Sequence, residues 1–211
     1  MRLLKLVFNF YLNASIHVAF SVVAFLRITE AYFEFTSNES LQWFIFLGTI
    51  TGYNFVKYAG VAKMHHRSLT KDLKMIQVFS FFCFLALTFF MYKIPFKTLC
   101  FSMPFVLLTI LYAVPFLSGF GKNLREVSYL KILVVAFVWS GFTILIPLID
   151  AGKEISLEIV FLMLQRFLIV IVLILPFDIR DVNYDAISLQ TIPRKIGVKK
   201  TKKIGLILLI F

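Results

Sequence analysis

Residues 155–185 read "ISLEIVFLMLQRFLIVIVLILPFDIRDVNYD", and the stretch falls into two unlike halves. Ile155–Phe177 is interrupted by charge only at Glu158 and Arg166. It is close to the ~20 residues that a helix needs to cross the hydrocarbon core of a bilayer. The nine residues Phe177–Asp185 then hold three aspartates and an arginine. The first half decides the fold and the second carries the functional question.

Working outward, comparable uncharged runs occur at Met75–Tyr92, Leu99–Leu117 and Ile132–Ile149, with shorter ones at Leu41–Val56 and Ala14–Leu26. The whole chain of 211 residues is 60% hydrophobic with 26 phenylalanines, and its mean hydropathy is +0.90. A soluble domain is about half apolar. The expectation is an all-α polytopic transmembrane helical bundle of six full spans plus the start of a seventh. Residues 1–211 form a single domain in this reading, incomplete at the C-terminal end, because the run Ile204–Phe211 rises only about 12 Å as a helix. The opening "MRLLKLVFNFYLNASIHVAF" has a basic n-region without a small-x-small cleavage site, which predicts a retained first helix. Cys83 and Cys100 sit in apolar runs without metal or redox spacing and read as small core residues.

The net charge of +11 raises the question of a nucleic-acid partner, and the placement of the charges argues against one. With sides alternating, the N-terminus and the second, fourth and sixth loops carry 17 of the 22 Lys and Arg, against four in the opposite loops. That is a positive-inside pattern. It predicts a multi-pass protein of the inner or cytoplasmic membrane, with the N-terminus and the basic loops in the cytoplasm. The partner implied is the lipid bilayer, and the basic side also suits anionic lipids or an anionic substrate.

Asp178, Asp181 and Asp185 are spaced i, i+3, i+7, so a helix continuing from the apolar run sets them on one stripe. Like charges so placed repel unless solvated or bridged by a cation. Mg²⁺ is usually held by one or two carboxylates together with substrate phosphates. Arg194 and Lys195 follow in "TIPRKIG" and suit phosphate oxygens. A solvated helix end balanced by Arg180 is the plainer alternative. The position at a cytoplasmic membrane boundary favours a Mg²⁺–pyrophosphate half-site.

These residues carry a resemblance. "DIRDVNYDAISLQTIPRKIG", Asp178–Gly197, resembles the second aspartate-rich motif and the downstream Thr-x-x-(Arg/Lys)-x-Gly segment of the UbiA superfamily of intramembrane prenyltransferases. "LYAVPF" at Leu111–Phe116 and "LREVSYLKILVVAFVW" at Leu124–Trp139 are similar to that family's fourth-helix end and fifth-helix start. The resemblance implies a helical barrel whose two acidic motifs hold an isoprenyl pyrophosphate through Mg²⁺. The implied reaction transfers the isoprenyl group to a hydrophobic acceptor, with Asp178, Asp181 and Asp185 as catalytic metal ligands. Asn54, Lys57, Arg194 and Lys195 are the implied pyrophosphate contacts.

The family's first motif, Asn-Asp-x-x-Asp-x-x-x-Asp, maps onto "NFVKYAGVA", Asn54–Ala62, where Asn54 matches and Phe55, Tyr58 and Ala62 stand at the acidic positions. Lys57 then either meets the pyrophosphate in place of a metal or serves topology alone. The second reading of the chain is a non-catalytic UbiA-like membrane protein that binds isoprenoid or lipid. A CDP-alcohol phosphotransferase is disfavoured because its Asp-Gly-x-x-Ala-Arg signature is absent. Arg166 within the apolar run is either functional or paired or snorkelling. His17 and the pair His65–His66 lack a third ligand nearby.

Overall fold

The computed structural model describes residues 2–64, 71–113, 128–182 and 191–210. All of its regular elements are helical, and a helix satisfies its backbone hydrogen bonds within its own segment, one of the two ways a chain can do so in lipid. His65, His66, Pro115 and Asp185 lie outside the described residues, as does the side chain of Asp181. The helices are α1 (Arg2–Asn13), α2 (Ile16–Tyr32), α3 (Glu39–Met64), α4 (Lys71–Met91), α5 (Phe96–Ala113), α6 (Ser128–Ser140), α7 (Ile146–Asp150), α8 (Leu157–Asp181), α9 (Ile192–Ile196) and α10 (Val198–Leu208). Two compact units emerge, Met1–Phe101 with Ile146–Lys153 (unit 1) and Ser102–Leu145 with Glu154–Phe211 (unit 2).

Three of these helical stretches are long and apolar enough to cross a membrane: Leu73–Met91, Leu130–Asp150 and Leu157–Arg180. Leu3–Asn13 and Ile16–Tyr32 meet that standard only together, bent by 59°, and Phe96–Tyr112 is apolar but shorter. The described helices thus provide three spans, or four with the bent pair, where the apolar runs suggested six. In α3 the reason is visible in the sequence. Gln42, Thr49, Thr51, Tyr53 and Asn54 thread polar groups through its apolar stretch.

In unit 1, α3 packs between α2 and α4. Ala19, Leu47, Ile50 and Cys83 are buried at the centre, with Phe46, Phe79 and Leu87 against them. The turn from α2 into α3 is closed by a polar knot around the buried Glu30. Its carboxylate accepts from the Ser37 amide at 2.9 Å, from the Ser37 hydroxyl, from Gln42 Nε2 at 3.3 Å and from Arg27 Nη1 at 2.8 Å. Arg27 also donates to Gln42 Oε1 at 2.7 Å. Four donors converge on one acid, so Glu30→Ala is expected to lower stability by about 1–3 kcal/mol. Thermal unfolding in detergent checks this, and an unchanged midpoint would show the knot to be surplus.

The break between α1 and α2 is a local conformation held by distant residues. Ser15 takes φ 60°, left-handed and unusual for a residue with a side chain. The carbonyls of Asn13 and Ala14 at the end of α1 lack helical partners, as last-turn carbonyls do. Residues of α3 supply them. Asn54 Nδ2 donates to the Ala14 carbonyl at 3.1 Å, and Lys57 Nζ and Tyr58 Oη donate to the Asn13 carbonyl at 3.1 and 3.0 Å.

In unit 2, α6 and α10 pack on α8. Ile132, Val134, Ala136, Val170, Ile171 and Leu175 are buried there. Between α6 and α7 the backbone widens into a π-turn, Gly141–Leu145. Pro147 follows it, and a proline crowds the carbonyl four residues before it and offers no amide. Here that carbonyl belongs to Thr143, so widening the turn relieves the clash. Ser156 caps α8 by accepting from the Ile159 amide at 3.4 Å, and Glu158 lies in its first turn, where the helix dipole favours an acid.

Candidate functional site

The acid motif emerges from the end of α8. Asp178 is buried at 4% exposure, although the residues flanking it, Phe177 and Arg180, are exposed. Helical spacing turns it inward toward α6, where Lys131 Nζ stands 3.6 Å from its Oδ1. The carboxylate is nearly enclosed, its side chain 5% exposed, while that of Lys131 is 43% exposed, so the cation forms the outer rim of the pair. Asp181 is the last residue of α8, one turn beyond Asp178. The Arg180 guanidinium lies over the Phe177 ring, 5.5 Å from its centroid.

The basic segment follows in the same unit. Thr191 caps α9 with its backbone carbonyl, accepting from the Arg194 and Lys195 amides at 3.0 and 3.1 Å. Its buried hydroxyl finds no hydrogen-bond partner among the described residues. Arg194 Nη2 donates to the Val182 carbonyl at 3.1 Å, which ties α9 to the end of α8. Lys195 is exposed. Gly197 then takes φ 86°, a conformation that only glycine adopts easily, and this separates α9 from α10.

Asn54 and Lys57 belong to unit 1, one helical turn apart on α3, and both serve the α1–α2 break. Asn54 is buried, and besides Ala14 it donates to Ser80 Oγ at 2.8 Å. Lys57 Nζ also lies 5.3 Å from the centre of the Tyr58 ring. Desolvation beside α1 draws the Lys57 ammonium below the usual lysine range and pushes the Tyr58 phenol up. Arg166 is buried in α8 and donates through Nη1 to Thr143 Oγ1 at 3.3 Å, inside the π-turn.

The residue whose contact the sequence did not reveal is Lys131. In the sequence it is one of the basic residues of the fourth loop and falls within Leu124–Trp139, and only packing of α6 on α8 sets it against Asp178. The available signal was its position at the start of an apolar helix on the same side as the acid motif.

Among the described residues no group of three or more His, Cys, Asp and Glu comes together to hold a metal. Asp178 by itself suits the way Mg²⁺ is commonly bound, through one or two carboxylates with the remaining positions completed by phosphate oxygens. Its burial at a helix end beside the Lys131 ammonium of α6, with Arg194 of α9 tied to Val182 at the same end, suits the same ligand. The chain matches no family model, no curated protein and no solved structure.

Proposed function

We propose that the chain is a UbiA-like intramembrane prenyltransferase, a multi-pass helical protein with its site on the cytoplasmic side of the inner membrane. In this reading Asp178, Asp181 and Asp185 hold Mg²⁺ against an isoprenyl pyrophosphate, and Arg194 and Lys195 supply further cationic contacts. Bound Mg²⁺ neutralises charge developing on the leaving pyrophosphate. The basic side chains add to that stabilisation, and the isoprenyl group passes to a hydrophobic acceptor. The observation that carries the reading is the buried Asp178 paired with Lys131 at the end of a membrane-length helix, with the basic α9 tied to the same end. Asn54 and Lys57 are engaged at the α1–α2 break, so the reading rests on the unit 2 residues.

The test is calorimetric titration of a non-hydrolysable farnesyl pyrophosphate analogue into the full chain in nanodiscs. Binding is expected to require Mg²⁺, and Lys195→Ala is expected to weaken it about tenfold, the loss of one charge-assisted contact. Affinity indifferent to both Mg²⁺ and Lys195 would overturn the reading. The second reading, a non-catalytic isoprenoid- or lipid-binding protein, is favoured by Phe55, Tyr58 and Ala62 standing where the family carries acids. It is distinguished by Mg²⁺-dependent binding without release of pyrophosphate from the natural substrate.

A further inference from the structure

α1 is amphipathic, and its polar side borders an open groove against α4 in which Lys5, Asn9 and Asn13 stay exposed. Lys5, Asn9 and Asn13 recur every four residues and therefore stand on one stripe. That stripe lines a cavity of about 230 Å³, flanked by Phe10 of α1 and by Met75 and Ile76 of α4. Away from the stripe, Leu3, Leu4, Val7 and Phe8 are exposed, each by more than half. No acidic residue occurs anywhere in Arg2–Asn13. Among the described residues, the side chains of Lys5, Asn9 and Asn13 have no hydrogen bond or ion pair. The Asn13 carbonyl is taken up by Lys57 and Tyr58, and Lys57 thereby adds a second ammonium at the far end of the stripe.

Each feature specifies an occupant. The exposed leucines and phenylalanine suit acyl chains and not water, as on helices that lie at a membrane interface. An open polar groove beside such an apolar surface suits a guest whose polar head enters the groove while its chains lie along the apolar side. The groups aimed into the groove are an ammonium and two carboxamides, which can supply several N–H donors with a net positive charge. Donors and charge of that kind suit the oxygens of a phosphate. Apolar walls from Phe10, Met75 and Ile76 suit the first carbons of its ester chains.

We propose that unit 1 binds the phosphate headgroup of an anionic phospholipid in this cavity, with Lys5 as the counter-ion and Asn9 and Asn13 as hydrogen-bond donors. The site involves neither Asp178 nor any residue of unit 2, so it stands or falls independently of the prenyltransferase reading.

The experiment is native mass spectrometry of the full chain released from detergent, titrated with dioctanoyl phosphatidylglycerol or dioctanoyl phosphatidylcholine. The anionic lipid is expected to be retained about tenfold better, with Lys5→Gln and Asn9→Leu each lowering retention by a similar factor and Lys5→Arg preserving it. Asn9→Leu is the decisive variant because it leaves every charge in place. Unchanged retention by that variant, judged on protein with an unaltered circular dichroism spectrum, would reduce the effect to non-specific attraction and overturn the site. Displacement of the lipid by glycerol 1-phosphate at equal concentration would likewise overturn it, since the cavity would then select a free phosphate rather than a lipid.

Discussion

Asp178→Asn is expected, on the prenyltransferase reading, to lower Mg²⁺-dependent release of pyrophosphate from farnesyl pyrophosphate by about 10²–10³-fold, the usual loss when one preorganised electrostatic group is removed. Asparagine keeps the shape and much of the hydrogen-bonding capacity of the side chain, so the fold should be little affected. Lys131→Met should do the reverse to stability. Removing Asp178 leaves a lysine whose side chain is 43% exposed and can be solvated, whereas removing Lys131 takes a counter-charge from a carboxylate that is 5% exposed. A fully buried pair loses about 3–5 kcal/mol on such a change and a surface pair almost nothing. The half-exposed lysine places the cost at about 1–2 kcal/mol. Turnover in nanodiscs and unfolding in detergent read the two effects separately. An Asp178→Asn variant as active as the parent protein removes that carboxylate from the reaction.

The second large effect is expected at Gly141. In an ordinary helix, replacing glycine by alanine gains about 1 kcal/mol. Here an added Cβ would lie 2.3, 2.4 and 2.8 Å from three atoms of the Phe105 ring. The ring is itself packed against Phe137 and Phe142, with centroids 5.3 and 5.8 Å away, and has little room to withdraw. Overpacking of this kind costs about 1–3 kcal/mol, so the contact outweighs the propensity and Gly141→Ala destabilises. Phe105→Leu should relieve it, giving a favourable coupling of about 1 kcal/mol or more in a double-mutant cycle. Chemical unfolding of the four variants measures that coupling, and a stabilised Gly141→Ala protein would contradict the close approach.

The helical class and the longest spans were legible because they depend on runs of apolar residues. Met75–Tyr92 became the crossing stretch of α4, Ile132–Ile149 that of α6 through α7, and Ile155–Phe177 that of α8. What composition could not reveal depends on partners far along the chain. The opening residues, expected to form a retained first helix, divide at Ser15 into α1 and α2, and Asn54, Lys57 and Tyr58 satisfy the carbonyls that the break exposes. The π-turn depends on Pro147 together with an aromatic ring from α5 seated on Gly141. In the candidate site, the stripe of acids and the basic α9 were readable from spacing. The burial of Asp178 and its pairing with Lys131 were not, since a helix face chooses its neighbour only through packing.

Two polar fastenings of unit 1, the knot at Glu30 and the seal of the α1–α2 break, differ in the length of chain that each must close. The knot at Glu30 joins residues 3 to 15 positions apart, whereas those sealing the α1–α2 break span 40 to 45. Closing a loop costs entropy that grows with its length, and local contacts are the ones that form fast. The α2–α3 hairpin can therefore zip shut by itself soon after both helices exist. α1, although made before α3, has to wait until Asn54, Lys57 and Tyr58 have emerged before α3 can fix its direction. α1 is thus made ahead of the α2–α3 hairpin and committed after it.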